Sequence, residues 1–184
     1  MTAPRDRRVE RTIAAINRAL FELIAERGYD KTTVQNIIDR ADVGRSTFYA
    51  HFDTKDDLLL SSLDRLTADL DAHLPEPEPG GPLLPSLGLF VHVDSHHHIF
   101  DGLFRSRAID LVTRETTAML EARALRTLQA RAGEGGESHP VDAEVRAAFA
   151  ARALMSFVRW WLAQGRPHGP EWAARTFERL AASA

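Results

Sequence analysis

Gly28-Tyr29-Asp30-Lys31-Thr32-Thr33-Val34-Gln35-Asn36-Ile37-Ile38-Asp39-Arg40-Ala41-Asp42-Val43-Gly44-Arg45-Ser46-Thr47-Phe48-Tyr49-Ala50-His51-Phe52-Asp53-Thr54-Lys55 is the stretch on which the fold turns. Val34, Ile37, Ile38 and Ala41 are spaced by threes and fours, the signature of one buried helix face. Thr32 with Gln35 reads as a capping box opening that helix. Asp42-Val43-Gly44 then interrupts it. A second short helix follows, starting with the polar residues Arg45, Ser46 and Thr47 and carrying Phe48, Tyr49 and Phe52. Upstream, Val9, Ile13, Ile16, Leu20, Leu23 and Ile24 form one stripe on a helix that stops at Gly28. Downstream, Asp53 or Thr54 caps a fourth helix striped by Leu59, Leu63, Leu66, Leu70 and Leu74.

The rest of the chain reads as helix as well. From Pro75 to Pro85, five prolines and two glycines mark a linker or loop. Beyond it lie the apolar run Leu87–Val93 and a histidine-rich segment, Ser95–Leu103. A long helical pattern with Ile109, Val112, Met119, Leu120 and Leu128 comes next. Gly133–Pro140 is a glycine-rich loop, Val141–Gln164 a long helix and Pro170–Ala182 a final one. No alternating apolar pattern marks a strand. The expected fold is all-α, about nine helices, with a head over residues 1–55 and a helical body over 56–184.

Composition narrows the function classes. With 44% hydrophobic and 27% charged residues in 184, a packed core is expected. The longest charge-free stretch, Pro79–Val93, is broken by proline and glycine and is too short to span a bilayer. The first residues carry charge with no apolar core, so no secretory signal is read, and a cytoplasmic location is expected. The absence of cysteine excludes disulfides, thiolate zinc sites and a cysteine nucleophile. Averaged over the chain, a net charge of −3 argues against nucleic acid, but it is unevenly divided. Residues 1–55 hold ten basic and eight acidic side chains, a net +2, which leaves −5 for the remainder. That sign suits a head that approaches phosphates and a body that does not.

Two short helices separated by three residues, the second opening on exposed polar side chains, fit a helix-turn-helix. In that motif the second helix reads bases from its N-terminal end. The string Gly28–Val34, then Ile37, Ala41 and Val43, then Ser46–Phe52 and Lys55–Leu58, resembles the DNA-binding head of TetR-family transcriptional regulators. About fifty residues carry the likeness. That family usually has Gly where Asp42 stands and Ser or Thr where Gly44 stands; Asp tolerates a left-handed turn and Gly an N-cap, so the fold is unaffected. Val34, Ile37, Ala41, Val43, Phe48 and Phe52 read as head core. Thr33, at a helix N-terminus, suits a phosphate. The resemblance gives Tyr49, His51 and Lys55 phosphate contacts, which fix register rather than sequence. Arg45, Ser46 and Thr47 are the candidates for base edges. Arg5, Arg7 and Arg8 read as a solvated tail or a minor-groove arm.

One head reads few base pairs, so a homodimer on a palindromic double-stranded operator is expected. Arg159–Gly165 with Pro167 and Pro170-Glu171 looks like the last two helices of the family, which pack against their symmetry mates. Phe149, Val158, Trp161, Trp172, Phe177 and Leu180 are the candidate interface residues, since adjacent tryptophans at 160 and 161 cannot both face one core. The resemblance also implies a repressor released by a small-molecule inducer held in the C-terminal domain. Phe90, His96, Phe100, Phe104, Met119, Phe157 and Trp160 are candidate lining residues. His92 with His96–His98 offers an alternative, a metal-responsive regulator; a helical metalloprotein or enzyme is a weaker one. Neither paired catalytic carboxylates nor a His-Glu-x-x-His string is present, so no enzyme, cofactor, metal or membrane partner is expected.

Overall fold

The computed structural model describes residues 4–63, 81–104, 106–133 and 141–182. Among these, every regular element is helical: α1 (Pro4–Arg27), α2 (Val34–Ala41), α3 (Arg45–Tyr49), α4 (residues 55–63), α5 (Ser86–Ser95), α6 (His97–Phe104), α7 (Ala108–Gly133), α8 (Ala143–Ala163) and α9 (Pro170–Ala182). The Pro75–Gly80 part of the expected linker, the leucine stripe beyond Leu63 and the loop over residues 134–140 lie outside the described residues. The helices sort into two compact units that interrupt each other in sequence. One gathers Met1–Leu66 and His97–Leu111; the other gathers Thr67–His96 and Val112–Ala184.

In the first unit α1, α2, α3 and α4 pool the apolar faces read from the sequence. Ile16, Leu20, Leu23, Ile24, Ile37, Phe48, Leu58 and Leu59 are all buried. At about 1.5–3 kcal/mol for each large apolar side chain withdrawn from water, this core is what offsets the ordering of such short helices. Helix α1 ends because Gly28 turns left-handed at φ +80°, its amide donating to Ile24 O at 2.8 Å. The backbone of Arg5, Arg7 and Arg8 lies inside α1, so they form neither a tail nor an extended arm. Helix α6 joins this unit by packing on α1. Gly102 permits that approach, since a methyl there would run into the carbonyl of Ile24.

Two polar details hold the turn between α1 and α2. The Tyr29 hydroxyl donates to the Asp56 carboxylate, and the buried Tyr29 ring lies 4.0 Å below the Lys55 ammonium. Burial first, then the Asp56 hydrogen bond, pushes the Tyr29 phenol above its ordinary range. The capping box is one residue later than the sequence suggested. Thr33, not Thr32, is the N-cap: Asn36 N donates to Thr33 Oγ1 and Thr33 N to Asn36 Oδ1, both at 3.1 Å. Thr32 is buried, its hydroxyl donating to Gly28 O at 3.0 Å, and is thereby spent on closing α1. Thr54 caps α4, accepting from Asp57 N at 3.0 Å.

The second unit is built around an aromatic centre. Phe90 of α5 stands edge-on to Phe157 at 5.8 Å and to Trp161 at 5.3 Å, both on α8. Trp161 is fully buried, and its indole N–H donates to His168 O at 3.0 Å, so the buried donor is satisfied. Helix α9 packs on both α5 and α8 through Ala173, Ala174 and Phe177. The turn after α8 takes two successive left-handed residues, Gly165 and Arg166. None of the described helices is long and apolar enough to cross a membrane.

Candidate nucleic-acid interface

The helix-turn-helix is present as expected. Asp42 adopts φ 52°, ψ 51°, the left-handed conformation that reverses the chain, and its cap N–H donates to Ile38 O. Gly44, extended at φ −69°, ψ 148°, caps α3 through its backbone alone, accepting from Phe48 N at 3.1 Å. Phe48 is buried, which anchors α3 to the head and leaves its N-terminal and outer positions to solvent.

Arg45 and Ser46 are exposed and Thr47 half-buried, so the three candidate base readers stand together at the start of α3. Tyr49 is exposed one turn on, and the Arg45 guanidinium carbon lies 5.6 Å from its ring centroid. Thr33 is exposed at the start of α2, where the first turn offers backbone N–H groups to an anion. His51 is half-buried beside Phe52, their ring centroids 6.3 Å apart. Lys55 is placed differently from a free surface cation. Its ammonium donates to Tyr29 O at 2.8 Å and to Thr32 O at 2.7 Å, and burial lowers its pKa below the ordinary lysine value. It therefore braces the loop that presents Thr33. Arg40 is likewise engaged, gripping Glu26 through two nitrogens at 2.8 Å and reaching Glu22 at 3.2 Å.

The remaining candidates divide by unit. Phe90, His96, Met119, Phe157 and Trp160 lie in the second, Phe100 and Phe104 in the first. Phe90 is buried, Phe157 stacks on Trp160 at 5.4 Å and 25°, and Trp160 is 45% exposed. The His96 Nδ1 is 3.0 Å from His92 O and 3.1 Å from Ser95 Oγ. Burial, then His96, lowers the His92 imidazole pKa. Among the described residues no three His, Asp or Glu side chains converge on a point that would hold a metal.

Of the candidate interface residues, Val158, Trp161 and Phe177 are buried in the chain's own core, Trp172 is half-buried, and Phe149 and Leu180 are exposed at 59% each. Val145, which the sequence groups with Phe149 as too apolar for a solvated face, is 57% exposed, and Trp160, read from the sequence as a ligand-lining residue, shares that outer side. Val145, Phe149 and Trp160 fall at i, i+4 and i+15 of α8, within about 60° of one another and opposite the buried face. The spacing was available in the sequence; which of two apolar faces is outward was not. An open cavity of about 670 Å³ adjoins this face, lined by Leu83, Leu84, Val145, Phe149, Ala153 and Phe177 among others.

Known proteins share this build. Residues 16–61 match the family described as bacterial regulatory proteins, tetR family. The HTH-type transcriptional regulator TcmR of Streptomyces glaucescens is 29% identical over 145 residues, which cover 70% of this chain and 64% of that protein. The chain spans less than two thirds of the length of the curated relatives it matches. Among solved structures, a TetR-family transcriptional regulator from Syntrophomonas wolfei superposes with a TM-score of 0.75 at 17% identity, over 95% of this chain and 94% of that one. The transcriptional regulator FadR from Bacillus subtilis, in complex with stearoyl-CoA, gives 0.66 at 17% identity, over 91% and 96%.

Proposed function

The chain belongs to the TetR family of bacterial regulatory proteins, and on that footing we propose that it is a cytoplasmic repressor that binds a palindromic operator as a homodimer and leaves it when a small molecule occupies its C-terminal domain. The observation that carries the DNA-binding part is the cluster of Arg45, Ser46, Thr47 and Tyr49 at the outer start of α3, with capped Thr33 nearby in sequence at the start of α2. Arg45, Ser46 and Thr47 take base edges; Thr33, Tyr49 and His51 take phosphates; Lys55 holds the Thr33 loop in place. Division of the head at residue 55 from a sensing and dimerising body completes the proposal.

Dimerisation uses the exposed apolar stripe of α8, Val145, Phe149 and Trp160, together with Leu180 of α9. An unpartnered stripe of this kind favours self-association. The stearoyl-CoA held by the Bacillus subtilis neighbour supports a small-molecule effector, and the aromatic centre around Phe90 and Phe157 is where an apolar one is sought. Release follows if the effector binds better to the dimer whose heads do not match the operator spacing. The metal-responsive alternative gains no support: His92 and His96 lie side by side, but no three candidate ligands come together among the described residues.

The test is selection of double-stranded DNA from a random pool by the purified full chain, followed by footprinting. The expected product is a two-fold symmetric site. Arg45→Ala is expected to cost about 1–3 kcal/mol and relax one base position per half-site. Recovery of no enriched sequence, or enrichment untouched by changing Thr33, Arg45 and Tyr49 together, would sink the proposal.

A further inference from the structure

Arg45 makes no ion pair and no hydrogen bond among the described residues; its one recorded neighbour is the ring of Tyr49, one helical turn along α3. That ring is not itself loose. It stands edge-on to Phe48 at 5.4 Å and 83°, and Phe48, at zero exposure, packs in turn against Phe52 at 5.8 Å. A chain of aromatic contacts thus runs from the head core to the exposed cation at the start of α3. We propose that Tyr49 is a specificity-determining positioning residue: the face of its ring orients the Arg45 guanidinium so that Arg45 discriminates guanine from the other bases. This rests on the reading of α3 given above.

The geometry permits both jobs at once. A guanidinium that stacks on a ring uses its π face, while its N–H donors point outward in its own plane. At 5.6 Å from the ring centroid, and with no hydrogen bond or ion pair among the described residues, the Arg45 guanidinium keeps the donors that would meet guanine O6 and N7 uncommitted. An arginine on an exposed five-residue helix otherwise spreads over many rotamers, and collecting them on DNA opposes binding. A ring that holds the side chain beforehand removes part of that opposition, and does so only for the base pair whose acceptors match the held fork. The contribution of Tyr49 therefore depends on the base in front of Arg45. A phosphate contact by the Tyr49 hydroxyl would act equally on every sequence.

The experiment measures the affinity of the full chain for its selected operator and for operators changed at the single base pair that Arg45→Ala relaxes. Tyr49→Ala and Tyr49→Leu are expected to reduce the preference for guanine there by about 2–5-fold, the population ratio an exposed cation–π contact sustains. Tyr49→Phe keeps the ring and is expected to keep the preference, whatever it does to affinity overall. Leucine retains apolar bulk against Phe48, so a loss shared by both ring-less variants is not a packing defect. If Arg45→Ala erases the preference while Tyr49→Leu and Tyr49→Ala preserve it, the positioning role is overturned and the reading of α3 survives. If Arg45→Ala leaves every base preference in place, the reading of α3 itself fails.

Discussion

Gly102→Ala should destabilise the protein, against the usual direction. In an exposed helix interior the same change stabilises by about 1 kcal/mol, because alanine gives up less backbone freedom. Helix α6 offers no such room. A methyl built on Gly102 is driven into the carbonyl oxygen of Ile24 and meets Ile24 Cγ2 at 3.0 Å and the carbonyl carbon at 3.1 Å. Comfortable carbon contacts begin near 3.5–4.0 Å, so α6 has to retreat by roughly 0.5–1 Å. Ile24 cannot yield instead: its side chain is fully buried and its carbonyl accepts the Gly28 N–H that ends α1. Overpacking by one carbon costs about 1–3 kcal/mol, and a backbone obstacle belongs in the upper half of that range. Subtracting the propensity gain leaves a net loss of about 1–2 kcal/mol. At about 2–4 °C per kcal/mol for a chain of this size, Tm falls by about 2–8 °C. Thermal unfolding followed by circular dichroism reads this, at fixed protein concentration because dimerisation would make Tm concentration-dependent. Gly102→Val should fall further. A Tm equal to or above that of the parent would show that α1 and α6 are not in backbone contact.

Other substitutions test the local chemistry. Thr33→Ala should cost about 1 kcal/mol by opening the box with Asn36, while Thr33→Ser should keep it, both read as shifts in the urea midpoint. Gly44→Ser should stabilise by a few tenths of a kcal/mol, since Gly44 is extended, a Cβ meets Thr47 Oγ1 at an ordinary 3.5 Å, and serine adds a hydroxyl cap; a Tm decrease would count against that geometry. Gly165→Ala has nothing within 4 Å of the new methyl, so its expected loss of about 1 kcal/mol comes wholly from φ +71°, and calorimetry should find it. The fold raises the Tyr29 pKa, so the stability it contributes is complete below the unfolded phenol value near pH 10 and is lost as pH climbs above it. Alkaline denaturation of Tyr29→Phe should accordingly be shallower than that of the parent above pH 10, and identical profiles would remove Tyr29 from the account.

The helical class and the helix-turn-helix were legible because they depend on spacing along the chain. Val34, Ile37 and Ile38 had to share a face, and Asp42 was recognisable as a turn residue that accepts φ 52°. What the spacing left open was decided by partners distant in sequence. Thr32 and Thr33 are equally good caps on paper; Gly28 O claimed the first and left Asn36 to the second. Two adjacent tryptophans had to face apart, but it took Phe90 of α5 and the carbonyl of His168 to put Trp161 inside and Trp160 out. Phe177 and Val158 read as interface residues for the same reason. An amphipathic helix announces an apolar face and does not say whether its own chain or another copy covers it.

Charge gives the same lesson with a functional consequence. The head carries a net +2, yet part of its basic charge is not free to meet a duplex. Arg40 is enclosed by Glu22 and Glu26, and Lys55 is turned inward onto two carbonyls. Arg45 remains as a cation at the start of α3 with neither an ion pair nor a hydrogen bond of its own. On the proposed reading, fewer counterions leave the DNA per head than its ten basic residues suggest, so non-specific affinity is lower and depends less on salt than that count implies. Selectivity must then come from base edges, from pre-ordering of the side chain that reads them, and from the simultaneous use of two heads. A fixed Arg45 matters more in such a head than in a strongly basic one, because little phosphate attraction is available to compensate for a misplaced fork.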